Sequence, residues 1–318
     1  MSTFVFPVFL VVLGIALLYF GGELLVNHAI ALARRFGVSS MVIGLTVVAF
    51  ATSAPELAAA MTANLLGSPD IAVGNAVGSN IANVGLILGF SALFFTLPAA
   101  PRFVRREVAF MVLVSAVMYP IFATRLLIGR LEGLFLFALL IMFLRTLIRD
   151  PASAQSYEEA DEEPLTPAWK SWLGVGIGIA LLVGGADALV EGASTLAREA
   201  GVPERVIGLT LVALGTSLPE LAAGFVAGKK GEADLVMGNI VGSNIFNLLC
   251  ILGLTATVSP ISVAPAILTL DIWVMLGSSV LLMIFLFWRK RLTRVEGGVL
   301  LAGYVAYTVF LFVGDRSF

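Results

Sequence analysis

Polar positions are so sparse along this chain that long apolar runs, not an alternation of faces, carry its first signal. Runs of about 20 residues, the length an α-helix needs to cross the hydrocarbon core of a bilayer, recur at 4–28, 41–66, 71–97, 105–123, 127–148, 171–196, 206–228, 235–258, 267–288 and 297–313. In lipid each backbone amide must find its partner within its own segment, so such runs form helices. The pattern predicts an all-α integral membrane protein with ten transmembrane helices. The first run continues past Gly22 and no Lys or Arg precedes it, which argues for a retained span over a cleaved signal peptide. One long polar stretch interrupts the series. Residues 149–170 hold Asp150, Glu158, Glu159, Asp161, Glu162 and Glu163 with Pro151, Pro164 and Pro167, a composition that reads as a solvated linker too short to fold as a domain. It divides the chain into two five-span units, 1–148 and 171–318.

These units repeat one another at a constant offset of 164. Gly37 matches Gly201. Val42-Ile43-Gly44-Leu45-Thr46 recurs as Val206-Ile207-Gly208-Leu209-Thr210, and Thr52-Ser53-Ala54-Pro55-Glu56-Leu57 as Thr216-Ser217-Leu218-Pro219-Glu220-Leu221. Further on, Gly74-Asn75, Gly78-Ser79-Asn80-Ile81, Asn83 and Gly89 match Gly238-Asn239, Gly242-Ser243-Asn244-Ile245, Asn247 and Gly253. An odd number of spans per unit makes the second copy enter from the opposite face. Two inverted five-helix repeats are therefore expected, an arrangement that places substrate sites near the bilayer midplane, on broken helices.

Basic residues orient the spans. With ten crossings, fourteen Lys and Arg fall on one side, among them Arg34, Arg102, Arg145, Lys230 and Arg291, and five on the other, which assigns the first side to the cytoplasm and both termini to the outside. At 59% hydrophobic and 13% charged residues the chain is no soluble domain, and its net charge of −2 signals no nucleic-acid partner. Cys250 is the single cysteine, which excludes an intrachain disulfide and reads as a small buried hydrophobe.

Chemistry concentrates where the repeats are most alike. Pro55 and Pro219 lie inside spans two and seven; each lacks an N–H and crowds the carbonyl four residues back, freeing Ala51 and Gly215. Beside them stand Glu56 and Glu220, carboxylates about halfway along a membrane span, where charge is costly and marks function. On a continuous helix Thr52 and Ser53 share a face with Glu56, as Thr216 and Ser217 do with Glu220. Ser79 and Asn83, like Ser243 and Asn247, are spaced i, i+4. Taken singly, these hydroxyls and amides also suit backbone bonding or helix packing. Together they form an all-oxygen set with no His or Cys, which suits hard cations such as Ca2+ and Na+. His28, Glu23 and Asp187, towards the ends of spans one and six, read as interfacial.

The strings Gly-Leu-Thr-Val-Val-Ala-Phe-Ala-Thr-Ser-Ala-Pro-Glu (44–56) and Gly-Leu-Thr-Leu-Val-Ala-Leu-Gly-Thr-Ser-Leu-Pro-Glu (208–220), with Gly-Asn-x-x-Gly-Ser-Asn-Ile-x-Asn at 74–83 and 238–247, resemble the alpha repeats of the cation/calcium exchanger superfamily, and its compact prokaryotic sodium/calcium antiporters in particular. The resemblance implies a secondary active antiporter of the cell (inner) membrane that exchanges Ca2+ for Na+ by alternating access. It implies no enzyme and no cofactor beyond the transported ions. Glu56 and Glu220 would be the central calcium ligands, helped by the carbonyls of Thr52 and Thr216. Sodium sites would draw on Ser53, Ser217, Ser79, Ser243 and the carbonyls of Ala49 and Ala213. Well-studied sodium/calcium exchangers carry Asp at the position of Asn247, opposite an Asn at that of Asn83. Here both are Asn, so two central carboxylates replace three, and proton or potassium coupling stays compatible with the site. The oligomeric state is left open. An intramembrane protease is disfavoured because the chain has no His-Glu-x-x-His and a single histidine. A passive cation channel would use the same oxygens, but channels usually gather their symmetry from several subunits around a pore.

Overall fold

A computed structural model of the chain describes residues 2–150, 167–202 and 213–314. The chain is helical almost throughout, in the order α1 (Ser2–Phe36), α2 (Ser40–Thr52), α3 (Ala54–Leu65), α4 (Pro69–Phe94), α5 (Pro101–Arg125), α6 (Arg130–Arg149), α7 (Ala168–Glu199), α8 (Leu218–Lys229), α9 (Ala233–Val258), α10 (Ile267–Arg289) and α11 (Arg294–Gly314). Among the described residues eight helices are long and apolar enough to cross a membrane, and α2 with α3 makes a ninth span bent by 42°. The span expected at 206–228 falls partly outside the described residues; its second half is α8, preceded by one turn, Ala213–Gly215. Most of the acidic linker, 151–166, also lies outside them. The first helix runs on to Phe36, beyond the apolar stretch that ends at residue 28, because Arg34 and Arg35 in its last turn suit the negative end of the helix dipole.

The structure preserves the 164-residue repeat in its backbone. Helices α1, α3, α7 and α8 each stop at a left-handed glycine, and these fall into equivalent pairs, Gly37 with Gly201 and Gly67 with Gly231. The two other left-handed residues among those described, Leu126 and Lys290, are equivalent to each other as well. Four two-residue strands follow the same rule: β1 (Leu97–Pro98) pairs antiparallel with β4 (Arg291–Leu292), and β2 (Leu127–Ile128) with β3 (Ile261–Ser262). Since α5 leads from β1 to β2, and β2 pairs with β3, the equivalent strands β1 and β3 lie at opposite ends of α5. Bare backbones touch in equivalent pairs too. A Cβ on Gly133 would come within 2.7 Å of the Gly253 carbonyl, and one on Gly297 within 2.8 Å of the Gly89 carbonyl. Close approach of this kind gives helices van der Waals contact where lipid supplies no hydrophobic drive.

The central stretch of α9 is wholly enclosed and that of α4 largely so, whereas α1, α6, α10 and α11 leave most of their surface facing outward. The apolar helices on the perimeter thus insulate two central ones that carry the asparagine-rich strings.

Candidate cation site

The proline at each break does what its missing N–H dictates. Helix α2 ends at Thr52, Ser53 adopts φ −86° and ψ 2° with its N–H on the Ala49 carbonyl at 3.0 Å, and α3 restarts at Ala54 with Pro55 in its first turn. Ser217 repeats this at φ −91° and ψ 0°, with Pro219 and Glu220 in the first turn of α8. The break corrects one reading of the sequence. Thr52 and Ser53 do not continue Glu56's helical face; they turn towards the Glu220 carboxylate of the other repeat. The Thr52 hydroxyl donates to the Val48 carbonyl at 3.1 Å and reaches Asn239 Oδ1 at 3.4 Å.

Glu56 and Glu220 are each 1% exposed and close enough to act on one another. Among the described residues no Lys or Arg is one of the groups acting on either carboxylate. Buried charge normally survives only beside an opposite charge, so two such carboxylates require a cation or protons.

Behind them α4 and α9 cross at their asparagines. Asn83 Nδ2 donates to Asn244 Oδ1 at 2.9 Å, and the equivalent Asn247 Nδ2 donates to Asn80 Oδ1 at 3.0 Å. Asn80 Nδ2 donates to the Asn244 carbonyl at 3.1 Å, and Asn244 Nδ2 reaches the Asn80 carbonyl at 3.5 Å. Among these four asparagines the amide donors are used and amide oxygens are left over, whereas Asn239, beside Thr52, keeps a buried amide donor without a partner among the described residues. Glu56 Oε2, Glu220 Oε2, Asn83 Oδ1, Asn247 Oδ1, Ser53 Oγ and Ser243 Oγ are all buried, and none meets hydrogen-bond geometry with a partner among the described residues. Each such group costs about 1–3 kcal/mol unless something coordinates it. A π-turn begins at Asn83 (Asn83–Leu88) and at Asn247 (Asn247–Ile251), a widening of the helix that is frequent at functional positions.

Of the residues singled out in the sequence, Glu56, Glu220, Thr52, Ser53, Asn83, Asn247, Ser79 and Ser243 lie buried on these central elements. Ala49 packs directly on Gly242, the neighbour of Ser243. Ser217 is buried and Thr216 half-buried at the break before α8, while Ala213 opens the preceding turn. Among the described residues no group of three or more His, Cys, Asp or Glu could hold a metal, so any cation here depends on hydroxyl, amide and carbonyl oxygens beside the two carboxylates. Asn75, Asn80, Asn239 and Asn244 are not among the site residues that the sequence singles out. Asn75 Nδ2 donates to the Glu56 carbonyl at 3.4 Å. Their signal was present, since amides are costly in hydrocarbon and all four recur in both strings. Glu23, read as interfacial, pairs with Lys230 at 2.7 Å, and Asp187 is exposed. Cys250 is buried and free, as a small hydrophobe should be.

Comparison with known proteins agrees with this geometry. The family described as "Sodium/calcium exchanger protein" matches residues 6–149 and 170–313, once per repeat. The inner membrane protein YrbG of Escherichia coli is 35% identical over 95% of this chain and 96% of its own length. The sodium/calcium exchanger MaX1 of Methanosarcina acetivorans is 34% identical over 95% and 97%. Among solved structures, the sodium-calcium exchanger NCX_Mj soaked with zero Na+ and Ca2+ superposes with a TM-score of 0.84 at 30% identity, covering 95% of this chain and 97% of that one. A doubled oxygen-lined break, enclosed by apolar helices and matched along nearly the full length of both partners, leaves one assignment: this chain is a multi-pass membrane transporter that belongs to the sodium/calcium exchanger family.

Proposed function

We propose that this chain exchanges Ca2+ for Na+ at the paired breaks, with Glu56 and Glu220 as the central ligands. The observation that carries this reading is a set of six buried, unpartnered oxygens, three from each repeat, two of them from carboxylates with no basic partner among the described residues. Two ionised glutamates neutralise one Ca2+. The same oxygens, with the hydroxyls of Ser53, Ser217, Ser79 and Ser243 and the carbonyls of Ala49, Thr52, Ala213 and Thr216, take Na+ in its place. Coupling follows from competition for these oxygens, because a doubly negative site without cations is expensive to carry across a low-dielectric barrier. Exchange of three Na+ for one Ca2+ would move one net charge per cycle, worth about 2.3 kcal/mol per 100 mV.

The units 1–148 and 171–318 are the two repeats, inverted in the membrane and joined by the linker 149–170 on the cytoplasmic side, with both termini outside. The strand pairing supports the inversion, since one crossing by α5 separates β1 from β2 and β3. The name of the Escherichia coli relative supports placement in the inner membrane.

Asn247 favours a second reading of the coupling ion, as potassium or protons, because the site has one carboxylate fewer than the well-studied pattern. Uptake of 45Ca2+ into proteoliposomes preloaded with Na+, K+ or a proton gradient, run in parallel, decides between them. Na+-loaded vesicles should accumulate Ca2+, and Glu56→Gln or Glu220→Gln should abolish the uptake while the protein stays folded. Uptake without any counter-ion gradient would make the protein a channel, and substantial exchange in both variants would remove the carboxylates from the site.

A further inference from the structure

Apart from the carboxylates and asparagines described above, the structure holds a cavity with its own chemistry. It is an open groove of about 730 Å³ between the start of α5 and the end of α6. Its rim carries four guanidinium groups, Arg102 and Arg106 from α5 and Arg145 and Arg149 from α6, against one carboxylate, Asp150. Arg102 and Arg106 both pair with Asp150, whereas Arg145 and Arg149 are exposed and form no ion pair among the described residues. Below the rim the groove wall is apolar, formed by Ala138, Ile141 and Met142. These precede Arg145 and Arg149 at helical spacing, so a single outward stripe of α6 runs from hydrocarbon-compatible side chains to cations at the helix end.

The internal repeat gives this groove a control. Positions equivalent to Arg102, Arg106, Arg145 and Arg149 are Ala266, Leu270, Val309 and Val313. Every residue type proposed to hold the ions recurs in both repeats, and these four arginines do not. Transport chemistry therefore does not require them, and the groove belongs to one face of the membrane alone.

We propose that the groove between α5 and α6 is a binding site for an anionic phospholipid, with the phosphate on Arg145 and Arg149 and an acyl chain along Ala138, Ile141 and Met142. A soluble anion would use the arginines but not the apolar wall, and a neutral lipid would use the wall but not the arginines. Basic pockets between membrane helices at the interface recognise anionic headgroups in this way. The inference depends on the membrane placement of α5 and α6 and is independent of which ions the protein exchanges.

The test uses the purified full-length protein in detergent, titrated with phosphatidylglycerol, phosphatidylcholine, glycerol 3-phosphate or inorganic phosphate, with bound lipid counted by native mass spectrometry and affinity read from thermal shifts. Phosphatidylglycerol should bind and stabilise, and Arg145→Ala with Arg149→Ala should weaken it roughly tenfold or more. Arg291→Ala with Arg294→Ala, which removes two exposed arginines assigned to the same face, should leave it unchanged. Equal binding by the groove variant overturns the proposal. So does a full effect from either chain-free phosphate, which would make the site one for soluble anions. If the native chain binds no lipid, and binding appears only after Glu158, Glu159, Asp161, Glu162 and Glu163 are replaced by their amides, the linker is the occupant and the proposal fails.

Discussion

Asn244 offers the sharpest test of how the site is held, because it acts on the proposed ligands only through a neighbour. Its Oδ1 accepts from Asn83 Nδ2 at 2.9 Å, and that bond aims the Asn83 amide so that its own oxygen is left for a cation. Asn244→Leu keeps the side-chain volume close to native and removes the acceptor. Asn83 is 1% exposed, so its orphaned N–H has no water to turn to and costs about 1–3 kcal/mol. The amide lowers that cost by rotating in search of another acceptor, and the oxygen that was left for a cation turns away with it. The loss then appears in cation binding, and 1–3 kcal/mol corresponds to a rise in KM for Ca2+ of roughly 5- to 150-fold. The assay is the Ca2+ concentration dependence of Na+-driven uptake in proteoliposomes, for Asn244→Leu, Asn83→Leu and the double variant, with thermal unfolding of each as the check on folding. Asn244 working through Asn83 makes the double variant little worse than Asn83→Leu alone. An unchanged KM in Asn244→Leu, or two effects that simply add, would refute the reasoning. By the repeat, Asn80→Leu should act through Asn247 in the same way, since that bond is 3.0 Å long.

Three other outcomes are expected. Asn247→Asp removes the donor to Asn80 Oδ1 and adds a titratable group to a site that holds two carboxylates, so the rate of Na+-driven uptake should gain a pH dependence beyond that of Glu56 and Glu220; superimposable pH profiles would take Asn247 out of the ion site. Gly133→Ala should lower thermal stability by about 1–3 kcal/mol, because its Cβ would sit 2.7 Å from the Gly253 carbonyl and 2.8 Å from the Thr257 nitrogen, backbone atoms that cannot swing aside; an unaltered unfolding temperature would mean that α6 and α9 are free to separate. In a Cys250→Ala background, a cysteine at Ser68 should react with impermeant thiol reagents in intact cells while one at Arg291 stays shielded, and the reverse labelling would overturn the orientation.

Much of this protein was legible in its sequence because the bilayer is an undemanding reader. Length and hydropathy alone decide which segments cross lipid, and a duplicated chain at constant offset displays its own internal equivalences, so Glu56 and Glu220 stand out beside Pro55 and Pro219 in the sequence itself. What periodicity could not supply was the local departure from regular helix. Thr52 and Ser53 fall on Glu56's face only if the helix continues, and the missing N–H of Pro55 bends it by 42° and hands them to Glu220 instead. Nor does any pattern within one repeat say that Asn80 must answer Asn247 and Asn83 must answer Asn244. Those pairings exist only where α4 and α9 cross. The chain itself thus determined which elements form and which oxygens enter the membrane. Tertiary packing alone decided which amide donors satisfy one another, and therefore which oxygens remain for a cation, because hydrogen bonds are short-ranged and each donor is spent only once.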